Sequence, residues 1–302
     1  MRALAALLLF SAVALSCSTE KKGDPEQLKI IADYKAGYES NKNSINASKV
    51  VNAIIEYAEK NPEDEAQIEV LFDDAIAISM EQTNLTQAAS LLNTLIKEYP
   101  GIDRETRLAQ LTRLLLEMNN TDAAGSLCLA GLAAYPASAS LQELKSQINP
   151  PDADIKARLD HLSTTMFNDS LNEYNVNTAT AFVDACEAYV MANPTAKDAV
   201  DYLHQAGQTA RSIRTFRKAI SLYDWIFSKY PNDPRAGQAL FLEAFTYDNE
   251  LKEIDIARKL YEQFIAKFPK DELVDDAQFL LKNLGKSDDE ILQELGTEEQ
   301  SQ

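Results

Sequence analysis

FRKAISLYDWIFSKYP at residues 216–231 and IARKLYEQFIAKFP at residues 256–269 are two copies of one pattern. Each places an alanine twelve residues before a proline (Ala219, Ala257) and a tyrosine eight before it (Tyr223, Tyr261). A bulky apolar residue stands five before it (Ile226, Phe264) and an aromatic one immediately before it (Tyr230, Phe268). The closing prolines, Pro231 and Pro269, set a stride in the thirties, which marks a stacked array of repeats and not a single globular core. Phe216, Ile220, Tyr223, Phe227 and Tyr230 fall on one helix face, so each copy reads as the second helix of a helical pair. The alanines are small because a partner helix passes there, at an interaxial distance of roughly 8–10 Å. The proline cannot extend the helix and biases its predecessor away from helical angles. Asp233-Pro234 is expected to open the next helix, with Asp233 as N-cap and Pro234 in the first helical position.

Working outward, the proline marker recurs at Pro62, Pro100, Pro136, Pro194, Pro231 and Pro269. All the intervals are close to one stride except that from Pro136 to Pro194, which is half as long again. Twelve residues ahead of the prolines stand Val50, Ala88, Ala124, Phe182, Ala219 and Ala257. The long interval flags an insertion. Residues 137–177, with the breaker Asn149-Pro150-Pro151-Asp152, read either as an irregular joint between two half-arrays or as a divergent repeat with one extra helix. Asn84 and Gln87 have capping-box spacing. A helix from about Glu272 to Leu284 should cover the last apolar face. Residues 286–302 read as a short helix, with Ser287 and Glu290 in capping-box spacing, and a frayed acidic tail.

These residues resemble the tetratricopeptide repeat, which carries a small residue in its first helix, an alanine and an aromatic in its second, and a closing proline. Leu203, Gly207, Ala219, Tyr223 and Pro231 match it best. The units are longer than is usual for that repeat, and the family's first-helix Trp, Leu-Gly and Tyr are mostly missing elsewhere. The Tyr-Pro and Phe-Pro endings look like those of bacterial envelope lipoproteins built from such repeats, including that of the outer-membrane β-barrel assembly machinery. The resemblance implies an all-α fold, a right-handed α-solenoid of antiparallel helix pairs. Repeats would occupy 26–136 and 178–285, the latter including the cap.

Residues 1–16 read as a signal segment: Arg2 is the positive start, and 3–15 form an apolar run too short to remain as a spanning helix. Ala14-Leu15-Ser16-Cys17 resembles a bacterial lipobox, which implies cleavage before Cys17 and its acylation. Several acyl chains make such an anchor lasting, where one chain alone binds only marginally. Residues 17–25 are then a lipidated polar tether. Ser18, where an aspartate would resemble an inner-membrane retention signal, directs the expectation to the outer membrane; the charged stretch after Cys17 resembles the export tags of surface lipoproteins only loosely, so the periplasmic face is expected rather than the cell surface.

The formal charge of −18 disfavours nucleic acid as a partner. Neither a phosphate-binding glycine loop nor a nucleophile elbow is present, and no Cys/His set has ligand spacing, so no cofactor, metal or catalytic residue is expected. His161 and His204 are read on polar helix faces, and Asp73-Asp74 as solvated surface. Cys128 and Cys186 both sit eight residues before a marker proline, an inward slot, and are expected as free buried thiols.

Against this acidic background Arg211, Arg214, Arg217 and Lys218 cluster at one hairpin. They read as a docking point for a carboxylate-rich partner or as counterions to acidic residues of adjacent repeats. Phe241 and Phe245, four apart on a first helix, read as groove anchors or as core. The function expected is a membrane-anchored, non-enzymatic scaffold that binds envelope proteins or peptide segments, in outer-membrane protein assembly or envelope organisation. The alternative is a surface-exposed accessory binding lipoprotein of a nutrient-uptake system, against which the single Trp225, set beside core slots, already argues.

Overall fold

Two kinds of turn, alternating along the chain, convert the repeat pattern into helical pairs. The structure is a computed structural model, and it describes residues 23–168, 170–286 and 289–290. The signal segment, Cys17 and the Ser287 cap lie outside the described residues. Fourteen α-helices and one two-stranded hairpin are present among those described. The fold is all-α, with helices packed in consecutive pairs in a solenoid-like arrangement.

The first turn joins the two helices of a pair. Thr83, Asn119, Arg214 and Lys252 each adopt a positive φ of 56–63° two residues before the second helix starts. The amide that follows reaches back to close the preceding helix: Asn84 to the carbonyl of Ser79, Asn120 to Leu115, Thr215 to Ala210. This is the Schellman arrangement, which satisfies carbonyls orphaned at a helix end. At Lys252 the corresponding bond, from the Glu253 amide to Tyr247, spans one residue more, because a π-helical turn at Thr246–Leu251 precedes it. That insertion accounts for part of the extra length of the unit, and the sequence pattern did not announce it.

The second turn joins one pair to the next and explains the marker proline. Backbone bonds run from Asp64 to Asn61, Ser138 to Tyr135, Ala196 to Asn193, Asp233 to Tyr230 and Asp271 to Phe268. Each closes a four-residue turn whose second residue is Pro62, Pro136, Pro194, Pro231 or Pro269, the position that proline's fixed φ suits. Asp233 caps this turn, accepting from the Arg235 amide at 2.9 Å, and the helix that follows begins at Ala236. The expectation of Pro234 as first helical residue is therefore corrected by two positions: Pro234 lies in the turn. Asn84 does cap its helix, accepting from the Gln87 amide at 3.2 Å, but Gln87 reaches the Asn84 side chain rather than its amide.

The described residues divide into two compact units between Leu91 and Leu92, inside the helix Leu85–Glu98 (α4). In the first unit, α1 (Pro25–Ser40), α2 (Ser44–Lys60) and α3 (Glu65–Glu81) bury Ile31, Tyr38, Ile54, Tyr57, Ile68 and Phe72. Adjacent pairs are tied at one-repeat spacing, by Lys35 of α1 to Asp74 of α3 at 2.5 Å and by Lys42, in the turn after α1, to Glu81 of α3 at 2.8 Å. Asp74 is thus an ion-pair partner and not merely solvated surface.

The second unit contains α5 (Arg104–Glu117), α6 (Thr121–Ala134), α7 (Ala139–Ile148), α8 (Ile155–Thr165), α9 (Val176–Ala192), α10 (Ala199–Ser212), α11 (Phe216–Lys229), α12 (Ala236–Phe245), α13 (Ile254–Lys267) and α14 (Val274–Lys282). Residues 137–177 lie within this unit. They form α7, α8 and the hairpin Phe167–Asn168 with Glu173–Tyr174. Asn149, left-handed at φ 49°, stops α7 ahead of the two prolines.

α6 packs directly on α9, with α7 against α5 and α6, and α8 against α6 and α9. Both α6 and α9 are buried almost all round, as helices apolar on every face must be. Ala124, Gly125, Cys128 and Gly131 on α6, and Ala185, Cys186 and Ala188 on α9, keep these helices slim. Cys128 and Cys186 are free and buried, and burial raises both thiols. Arg158 of α8, almost fully buried, bonds Ser126 and Asp122 of α6 and also Asp152.

Candidate partner-docking surface

The four basic residues of the α10–α11 hairpin do not form one patch. Arg217 is 78% exposed and bonds Glu253 of the next pair at 3.1 Å. Lys218 bonds Glu187 of α9. Arg211 is half-buried, its guanidinium 5.2 Å from the Phe245 ring centroid. Arg214 is exposed and lies 5.9 Å from the Phe216 ring. Two of the four are thus counterions to neighbouring repeats, and Arg211 and Arg214 remain against aromatic faces without a carboxylate among the described residues.

Phe241 is not a groove anchor. It is 9% exposed and enclosed by Phe264 at 5.7 Å, Tyr261 at 6.0 Å and Phe245 at 6.4 Å between ring centroids. The reason is the close succession of aromatics on α12 and α13, which need one another to leave water. Phe245 is half-buried, packed on this core beneath Arg211. Tyr223, under Gly207, has its hydroxyl pushed up to about 12 by burial, with Arg211 pulling the other way.

Three helices meet through one buried carboxylate that spacing alone did not reveal. Glu187 of α9 is bonded by Lys97 of α4 and Lys218 of α11. Burial alone would raise Glu187; the two ammonium groups overcome it and hold the carboxyl well below the usual range. Asp184, one turn earlier, is pushed up to about 6 by burial, with Lys218 opposing. Lys97 also lies 4.6 Å from the ring centroid of Trp225, which is 7% exposed. The clue in the sequence was a lone glutamate inside the apolar run Ala185–Met191, a position that demands a partner.

Beside this junction the ends of α4, α9 and α11 surround a cavity of about 550 Å³. Arg104 lines it, donating to the last-turn carbonyls of Ile96 at 2.7 Å and Met191 at 2.9 Å. Tyr230 donates to the carbonyl of Pro194 at 2.8 Å. On α12, Glu243 is buried with one oxygen unpaired; burial, with Asp224 adding to it, pushes its carboxyl to about 8. Of the histidines, His161 is exposed and contacts Asp152 at 3.1 Å. His204 is half-buried rather than on an open polar face, with Nε2 unpartnered. No group of three or more His, Cys, Asp or Glu among the described residues is placed to hold a metal ion.

The tetratricopeptide repeat family matches residues 75–101 and 238–271, stretches that end just past the marker prolines Pro100 and Pro269. No curated protein matches the chain. The match, the helical pairs and the recurring turns together support a tetratricopeptide-like arrangement. Such repeats are protein-binding scaffolds in general, and that is the class of function the fold indicates.

Proposed function

We propose that the chain is a lipid-anchored, non-enzymatic adaptor that presents its repeats to other proteins or peptide segments of a bacterial envelope, in outer-membrane protein assembly or envelope organisation. The family match to tetratricopeptide repeats carries the adaptor half of this reading. The Leu15-Ser16-Cys17 sequence supports the other half: acyl chains on Cys17 attach the protein to the outer membrane, on its periplasmic face. A surface glycan-binding role is less well supported, because Trp225 is 7% exposed and Lys97 lies over its ring, leaving no open face for a sugar.

Two measurements test the proposal. Metabolic labelling with an alkyne fatty acid should mark the wild-type chain and not Cys17→Ala; equal labelling would remove the anchor. Affinity capture from detergent-solubilised membranes should recover envelope proteins, and Arg211→Glu with Arg214→Glu should reduce that recovery. Unchanged recovery would return these arginines to a purely local role, and recovery of a transporter would favour the nutrient-uptake reading.

A further inference from the structure

The cavity at the ends of α4, α9 and α11 has the size of a ligand site, for which roughly 300–1,000 Å³ is usual. Part of its wall is set by the repeat corners, to which Pro100 and Pro194 belong, and by Trp225, held beneath Lys97.

Charge at the mouth selects the occupant. Four cations line it, Lys97, Arg104, Lys197 and Lys229, against two carboxylates, Glu98 and Asp233. Lys97 is taken by Glu187, Lys229 by Glu98 at 2.5 Å, and Asp233 by Arg235 at 3.2 Å. Arg104 and Lys197 are left with no carboxylate partner among the described residues, on a chain whose formal charge is −18. Arg104 spends one nitrogen on two carbonyls, and a guanidinium has five N–H donors to give. The remote acidic surface does not cancel this, because charges more than about 8 Å away are largely screened at physiological ionic strength.

We propose that this cavity binds an extended acidic peptide segment of a partner protein. One apolar side chain enters between Pro100, Pro194 and Trp225, and a neighbouring carboxylate meets Arg104 and Lys197. The proposal rests on the adaptor reading and names the class of segment it takes. It is a different surface from the α10–α11 arginines.

Trp225 is the chain's single tryptophan, so its fluorescence reports on this cavity alone. The full chain in detergent is titrated with three synthetic octapeptides of alternating residues: Leu/Phe with Asp/Glu, the same with Asn/Gln, and the same with Lys/Arg. The acidic peptide should change Trp225 emission saturably, and the neutral one should bind at least about tenfold more weakly, the loss of one charge-assisted contact. Lys197 is exposed and its replacement leaves the carbonyl bonds of Arg104 intact, so Lys197→Glu is the informative variant. It should weaken the acidic peptide about fivefold or more at unchanged unfolding midpoint. Equal response to the neutral or basic peptide, or no response at millimolar acidic peptide, overturns the proposal. So does a Trp225 signal that follows protein concentration without peptide, which would assign the cavity to a second copy. Membrane capture reads every docking surface, so failure of the peptide titration alone leaves the adaptor reading in place.

Discussion

Arg214 and Thr83 hold the left-handed conformation that a pair-closing turn requires, and each bears a side chain that makes it costly. Glycine tolerates that region freely, while other residues lose roughly 1–2 kcal/mol there. Thr83→Gly should therefore stabilise the first unit by about 0.5–1 kcal/mol in urea unfolding, after the glycine's own chain entropy is subtracted; a destabilised variant would mean that the Thr83 side chain does more than fill a turn. Glu243 gives a prediction with a pH sign. Its folded-state carboxyl titrates near 8 because of burial, above its value in the unfolded chain. The folded protein thus binds the proton more tightly, and stability falls as pH rises from the unfolded value towards 8. Glu243→Gln, which cannot ionise, should raise the unfolding midpoint by at least about 4 °C at pH 8, with the gap closing towards pH 4.5. A gap independent of pH would show that packing and not ionisation is responsible. At this scale the sequence was only partly legible. Phe241 and Phe245 stand four apart on a helix, and that spacing is the same for a groove anchor and for a core residue. Only the rings of Tyr261 and Phe264 around Phe241 separate the two.

Among elements, the junction of α4, α9 and α11 depends on Glu187. Replacing it with glutamine leaves Lys97 and Lys218 facing a neutral group. Breaking a fully buried pair costs about 3–5 kcal/mol. With Lys218 about a third exposed, a loss of about 2–3 kcal/mol is expected for Glu187→Gln in chemical denaturation at pH 7. The same depressed carboxyl contributes stability above its unfolded-state value, which is lost as pH falls through its lower folded value, so wild type and variant should converge in acid. The α10–α11 contact is sterically set: a Cβ on Gly207 would lie 2.5 Å from the Tyr223 ring. Gly207→Ala should cost about 1–3 kcal/mol and broaden or lower the thermal transition. An alanine variant as stable as wild type would mean the two helices can separate freely. Gly207, Ala219, Tyr223 and the marker prolines were readable because each repeat makes the same steric demand at the same place. The Lys97–Glu187 pair was not, since its members are 90 residues apart in the chain; the slot seven before the marker proline is acidic in the last three units (Glu187, Asp224, Glu262), but that pattern does not say which cation answers it. The π-helical turn after Phe245 was equally hidden, because one added residue leaves helical periodicity intact over so short a span.

In the molecule as a whole, pairs of helices are added one after another, with α7 and α8 as the single large insertion among the described residues. The long interval from Pro136 to Pro194 announced that insertion, but not that α6 and α9 would pack face to face across it. The small residues on both helices become informative only once the two are known to touch. A repeat array should tolerate the loss of one whole unit, because each unit buries its face against neighbours and the ends are interchangeable in pattern. Deletion of residues 232–269 joins Pro231 to Lys270 and brings α14 to the place of α12 on α11. Circular dichroism and thermal unfolding of this shortened chain decide whether its units are interchangeable. A helical protein that still unfolds in one cooperative transition, at a somewhat lower midpoint, is the expected result; a collapsed, non-cooperative or aggregated chain would rule out growth by addition of pairs.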